Sequence, residues 1–165
     1  MSDGGSGARP LSEAAQRVQD ALLERGFANT VRELAEPVRT AQAAADAVGC
    51  EVAQIVKSLV FRGEASGRAV LVVASGANRV DTGRLAALLG EPVAMGDPRF
   101  VRERTGFAIG GIPPLGHATE IDVVVDAHLL AIPSLWAAAG HPNSLFPLTP
   151  DELVRMTRGR VAEIA

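Results

Sequence analysis

Two apolar runs lie almost back to back in the middle of this chain. Residues 55–61 read I-V-K-S-L-V-F and residues 69–74 read A-V-L-V-V-A. Both are short, rich in Val, and bounded by turn formers, which suits strands better than helices. Between them, Arg62 to Arg68 carries Gly63 and Gly67 and suits a reversal. The pattern predicts a β-hairpin whose second strand ends at Ser75-Gly76. One charged residue, Lys57, is embedded in its first strand.

The flanking sequence supplies helices and further strands. Leu11, Ala14, Ala15, Val18, Ala21 and Leu22 recur at helical spacing behind Ser12, an N-cap residue type, and Gly26 stops the run. Thr30 to Leu34 reads as a short strand, interrupted by Glu36-Pro37. Thr40 opens a second helix that stops at Gly49, and Cys50 to Gln54 reads as a helical turn. Asp81 or Thr82 caps a helix through Leu89, closed by Gly90, and Pro98 to Glu103 forms another. Gly106 to Gly116 is a glycine-proline loop, and Ile121 to Val125 is a strong strand. Leu129 to Ile132 is a further short element, and Ser134 to Ala139 fits a strand or a helix. Thr149, Pro150 and Glu152 form the start signature of a last helix. The expectation is a flexible tail over residues 1–10, then one α/β domain over 11–165 with a mixed sheet.

Composition narrows the chemistry. The chain has 165 residues and a formal net charge of −3, a size that suits one domain with its own core. A single cysteine, Cys50, excludes an internal disulfide framework and a multi-cysteine zinc cluster. No apolar run reaches the roughly 18 residues of a membrane span, and the start M-S-D-G-G-S-G-A-R-P lacks the regions of a signal peptide. A cytoplasmic protein is expected. Lys57 is the single lysine, against fifteen arginines, and a compact ammonium is not interchangeable with a guanidinium. Residues 57–104 carry a net +3 on an otherwise acidic protein. That balance suits contact with a nucleic-acid end, not a groove for duplex DNA.

Several catalytic classes lack their motifs. There is no G-x-x-x-x-G-K-[ST] run and no G-x-S-x-G elbow. The stretch G-F-A-I-G-G-I-P-P-L-G is no dinucleotide fingerprint, because its prolines prevent a helix from opening after the glycines. His117, His128 and His141 lie far apart in sequence, without a local metal-ligand spacing. Two features stand out. Lys57 is either an edge lysine that snorkels or a cation aimed into a cleft. Gly110-Gly111, ahead of Pro113-Pro114, is either a tight connection or a loop whose amides face a ligand carbonyl.

Taken in order, these pieces resemble the YbaK/EbsC family of aminoacyl-tRNA deacylases, related to the editing insertion of bacterial prolyl-tRNA synthetases. The resemblance covers about residues 12–165. It rests on I-V-K-S-L-V-F at 55–61, V-L-V-V-A-S-G-A-N-R-V-D at 70–81 and L-A-A-L-L-G at 85–90. It continues with T-G-F-A-I-G-G-I-P-P-L-G at 105–116, I-D-V-V-V-D at 121–126, A-A-G at 138–140 and L-T-P-D-E-L at 148–153.

The resemblance implies a mixed, strongly curved sheet surrounded by helices. It implies hydrolysis of wrongly attached amino acids from tRNA in trans, typically from tRNA(Pro), without metal or organic cofactor. Alanine, or a similarly small residue, is the preferred reading of the amino acid removed. The partners implied are the acceptor end of misacylated tRNA and, as a candidate, prolyl-tRNA synthetase, with no DNA and no membrane, in a monomer or weak homodimer. By position, Lys57 matches the family lysine that contacts the terminal adenosine or its phosphate. Gly110 and Gly111 match the loop whose amides bind the substrate carbonyl, and Pro113 belongs to the same loop. A water molecule attacks the ester, aided by the tRNA's terminal 2′-hydroxyl. Asp126 matches an acidic position that either orders the pocket or bonds to the loop. His141 and Asn143, in G-H-P-N-S, partly match an H-P-x-x-N stretch of alanine-directed members, so His141 either lines the pocket or sits in a turn. A non-catalytic binder of aminoacyl-tRNA or synthetase, and an enzyme acting on a small ester, remain the alternatives.

Overall fold

The computed structural model describes residues 10–165, so the predicted tail lies outside the described residues except for Pro10. Each helix starts where an oxygen-bearing side chain meets free backbone N–H groups. In α1 (Glu13–Glu24) the cap is Ser12, and in α2 (Ala41–Val48) it is Thr40. Asp81 caps α3 (Thr82–Leu89) and Asp97 caps α4 (Pro98–Thr105). Thr149 and Glu152 close a reciprocal capping box on α5 (Pro150–Thr157). Helices α2, α3 and α4 end on glycines in the left-handed conformation, whereas α5 ends on Arg158 in that same conformation.

Eight strands form one mixed sheet. They are β1 (Arg32–Glu33), β2 (Ile55–Gly63), β3 (Ala69–Ser75), β4 (Val93–Met95), β5 (Asp122–Asp126), β6 (Leu135–Ala138), β7 (Ser144–Leu148) and β8 (Arg160–Ala162). Their order is β1-β7-β6-β2-β3-β5-β8, with β4 also paired to β2. The predicted hairpin is β2–β3, antiparallel from Val56↔Ser75 to Arg62↔Ala69. Parallel pairs join β2 to β6, β3 to β5 and β5 to β8. The expected α/β class with a mixed sheet is therefore borne out. Residues 134–139, open between strand and helix in sequence, hold β6, and residues 129–132 fall mostly within a 3-10 turn (Ala127–Ala131).

Alternation along the strands sorts side chains onto two covered faces. Val56, Val60, Leu71, Val73, Val123 and Val125 meet Ala15, Val18 and Leu22 of α1, with Leu153 and Met156 of α5 and Phe100 of α4. The opposite face packs Phe61, Val70, Val72, Ala74 and Val124 against Leu85 of α3 and Ile164. A third cluster at the start of β2 joins Ile55 and Leu145 to Ala44 and Ala45 of α2. Truncating one fully buried leucine here, such as Leu71, is expected to cost about 2–5 kcal/mol. No helix of the described residues is long and apolar enough to cross a membrane.

The β2–β3 turn is held by a carboxylate. Glu91 accepts the N–H groups of Ala65 and Ser66, the Ser66 hydroxyl and Arg68 Nε at 2.7–3.2 Å. The Ser66 N–H and hydroxyl hold its carboxyl below the ordinary value of 4.5, burial opposes them in part, and the Ala65 N–H and then Arg68 add smaller lowering effects. Its contribution is present above that ordinary value and fades as pH falls through the lowered one. Glu91→Gln should therefore lower the melting temperature at pH 7 and flatten its fall between about pH 5 and pH 3. Thermal melts of both proteins across that range check this; parallel curves would contradict it.

Candidate functional site

Strand β2 has a full-length neighbour on one edge only. On the other edge, β6 pairs with Ile55 and Val56, and β4 pairs with Phe61 to Gly63. Between those partners, residues 57–60 have no paired strand. The Val60 carbonyl accepts Gly96 N–H at 2.9 Å, which closes the far end of the gap. What remains is a groove of about 280 Å³ over Lys57, Ser58 and Leu59. The glycine-proline loop at Ile109, Gly110 and Ile112 forms one wall, Arg39 and Thr40 at the start of α2 form another, and Ala138 with Pro142 completes the rim.

Lys57 is half-buried on the face of β2 that carries Ile55 and Leu59. Among the described residues it takes part in no ion pair and no side-chain hydrogen bond, so its ammonium is available to a ligand. Arg39 is exposed and likewise unpaired among the described residues. Ser58 lies on the opposite face, between Val56 and Val60. Its Oγ is buried without a hydrogen-bond partner. A buried hydroxyl left unsatisfied is costly, and such groups mark places where a ligand or water completes the bonding.

The loop is built by close packing of backbone on backbone. Gly140 N–H donates to the Gly111 carbonyl at 2.7 Å. A Cβ on Gly111 would lie 2.7 Å from His141 N and 2.8 Å from Gly140 C. Gly140 in turn has φ +93, and a Cβ there would lie 2.6 Å from the Ala14 carbonyl oxygen of α1. The loop thus stacks on the β6–β7 turn, and that turn on the first helix. This changes one expectation. The N–H of Gly111 already donates to the Ala108 carbonyl at 3.1 Å, because residues 108–111 close a tight turn. The expected pair of amides becomes a single open one, that of Gly110, whose φ is +98.

The remaining sequence-derived residues divide. His141 and Asn143 come together at the rim, with their side chains hydrogen-bonded to each other, and Ser144 N–H donates to the His141 carbonyl at 3.0 Å. Asn143 also ties down the segment before α2: its carbonyl accepts Leu34 N–H at 2.7 Å, and its Nδ2 donates to the Leu34 carbonyl at 3.3 Å. Neither side chain lines the groove, although Pro142 between them does. Asp126 and Pro113 are brought elsewhere. Asp126 is 1% exposed, and its carboxylate accepts Ser75 N–H, Asn78 Nδ2 and His128 N–H at 2.8–3.1 Å. It fastens the ends of β3 and β5 to the following loops and is not among the residues that line the groove. Pro113 is buried, and its carbonyl lies 2.7 Å from His117 Nε2. Burial lowers the His117 pKa, which favours the neutral ring with Nε2–H as donor to that carbonyl.

Sequence reasoning missed Arg39 and Ser58. Arg39 had a usable signal, a cation directly before the helix cap Thr40. Ser58 had none, since strict alternation assigns it to the core face beside Val56. Among the described residues no group of three His, Cys, Asp or Glu side chains could hold a metal ion.

Among the described residues, then, a mixed sheet packed by five helices carries a cation and a glycine loop on one groove at an unpaired strand edge. The profile of the aminoacyl-tRNA editing domain matches residues 35–156, and the chain belongs to that family, the YbaK/EbsC-type deacylases. It is 35% identical over 81% of its length to protein YwhH of Bacillus subtilis, covering 84% of that protein. It is 27% identical over 76% of its length to EbsC of Enterococcus faecalis, covering 76% of a protein named as a candidate Cys-tRNA(Pro)/Cys-tRNA(Cys) deacylase. A crystal structure described as a candidate trans-editing enzyme for prolyl tRNA synthetase superposes with a TM-score of 0.89 at 51% identity, covering 94% of this chain and 98% of that one.

The glycine stack gives a direct test. Gly111→Ala should destabilise the protein by about 1–3 kcal/mol, because the obstructing atoms are backbone and cannot turn aside. Urea unfolding measures this. A Gly111→Ala protein as stable as the wild type would contradict the packing described.

Proposed function

We propose that residues 11–165 form a cytoplasmic trans-editing hydrolase that cleaves the ester of misacylated tRNA, with tRNA(Pro) carrying alanine as the leading substrate. The observation that carries this reading is that the unpaired Lys57 and Gly110, whose N–H is unengaged, line one groove at the gap in the β2 edge. The groove is small, at about 280 Å³, and its apolar walls include Val38, Ala41, Ala44 and Ala138. Those dimensions support a short aliphatic side chain and oppose a bulky one. Such a pocket distinguishes alanine from larger residues by overlap, while a single methylene is worth only about 1–3 kcal/mol.

In this reading Lys57 holds the terminal adenosine or its phosphate as a point charge. Gly110 N–H donates to the ester carbonyl and favours the negative charge that develops there. Water attacks the carbonyl carbon, with the 2′-hydroxyl of the terminal ribose assisting. The bond to the 3′-oxygen breaks, that oxygen takes a proton, and the free amino acid and intact tRNA leave. Ser58 Oγ completes its hydrogen bonding with the bound ester or the water.

The test is deacylation of tRNA(Pro) charged with alanine, cysteine, serine or proline. The wild type should discharge alanyl-tRNA fastest and spare prolyl-tRNA. Lys57→Ala should lose roughly a hundred-fold or more, in line with removal of one preorganised electrostatic group. Lys57→Arg should not restore the rate, because a planar fork does not replace a compact ammonium. Full activity in Lys57→Ala would overturn the mechanism. Binding without hydrolysis of any charged tRNA would favour the non-catalytic binder.

A further inference from the structure

The molecule has a second concavity that the editing reaction does not use. A cleft of about 710 Å³ opens where the C-terminal ends of α1 and α5 meet the latter half of the glycine-proline loop, from Pro114 to Glu120. It adjoins a depression of about 480 Å³, and the two share Glu120, Thr157 and Arg158 among their walls. The groove described above lies at the other end of α1, where Gly140 packs on Ala14. With 12 residues in α1, the two sites are separated by about 18 Å, at about 1.5 Å per residue. The loop runs beside the helix between them: Arg17 donates to the Gly106 carbonyl at 2.9 Å, and a Cβ on Gly116 would meet Ala21 Cβ at 3.2 Å.

The charged groups facing this cleft are Arg25, Arg155 and Arg158, with Glu24 and Glu120. Arg155 is engaged by Asp151 at 2.9 Å and stacks over Phe27. Arg25 reaches only the Met156 carbonyl, at 3.5 Å. The Arg158 guanidinium has no hydrogen-bond or ion-pair partner among the described residues. Its backbone has φ +52, where an L-residue costs about 1–2 kcal/mol relative to glycine. Helices α2, α3 and α4 avoid that cost with glycine at the equivalent position. Helix α5 instead places an unpaired cation there, at the junction of the two depressions.

Resting on the editing reading, we propose that this cleft is a second RNA contact, in which Arg158 and Arg25 bind backbone phosphates of the tRNA whose 3′ end occupies the groove. The interleaved Glu24 and Glu120 oppose a compact polyphosphate, which needs clustered positive charge. They are compatible with single phosphates presented one at a time along a strand. The separation of about 18 Å corresponds to about five phosphate steps at roughly 3.4 Å per strand, within reach of an acceptor arm.

The test uses the full chain with Arg25→Gln and Arg158→Gly combined. Glycine suits the left-handed position, so Arg158→Gly removes the cation without harming the fold, and its urea midpoint should equal or exceed that of the wild type. Fluorescence anisotropy with labelled uncharged tRNA(Pro) should show roughly ten-fold weaker binding for the double variant and a salt slope lower by about two. KM for full-length alanyl-tRNA should rise by a similar factor with kcat unchanged. Hydrolysis of the alanyl ester of the trinucleotide CCA, too short to reach the cleft, should be unaffected. Unchanged tRNA affinity and salt slope would overturn the proposal, as would an equal loss on the trinucleotide ester. If the wild type hydrolyses neither ester, the editing reading fails, while the anisotropy arm still decides whether the cleft binds RNA.

Discussion

Strand β2 must hold three neighbours at once, and it has two edges. One edge pairs with β3 along seven residues, from Val56 to Arg62. The other is shared by β6 at its start and β4 at its end. Neither of those partners reaches the middle, because β6 ends at Ala138 ahead of the Gly140 turn and β4 is three residues long. Backbone polar groups at such a gap must find other partners. The groove over Lys57, Ser58 and Leu59 follows from this shared edge. A longer β6 or β4 would cover the gap and remove the site without altering the fold class.

The gap is kept open by rigid surroundings. Gly111 against Gly140, and Gly140 against Ala14, form a column of backbone contacts that side chains would prevent. On the far side, Pro142 and Asn143 accept the N–H groups of Val38 and Leu34, which fixes the segment leading into α2. His117 Nε2–H reinforces the later part of the loop through the Pro113 carbonyl. Residues outside the groove thus fix the loop that carries Gly110. Preorganisation of this kind gives a small site its electrostatic effect, because the donor need not reorient during the reaction.

Much of the architecture was legible in the sequence, and the exceptions have physical reasons. Capping residues, helix-ending glycines and the two apolar runs located every helix and the central hairpin. Strands β4 and β8 are three residues each, too short for alternation to show a period. Strand β7 contains Pro147, which argues against a strand, yet it pairs with Trp136 while remaining exposed. Lys57 and Gly110 stood out in the sequence as a charge in an apolar strand and paired glycines before prolines, and the structure brings both to one groove. Asp126 lies in the same row of the sheet as Lys57, but Ser75, Asn78 and His128 take up its carboxylate, and no sequence pattern reveals those partners. Gly111 shows a different limit: that its N–H is committed to Ala108 is a property of the turn, not of the residue type.

The central claim is that the gap in the β2 edge receives the aminoacylated 3′ end. Its most direct test is an amide chemical-shift titration with an adenosine carrying alanine through a non-hydrolysable 3′-amide. The account predicts that the largest shifts fall on Lys57 to Leu59, Ile109 to Ile112 and Ala138 to His141. Shifts confined to other surfaces, or none at saturating ligand, would contradict it.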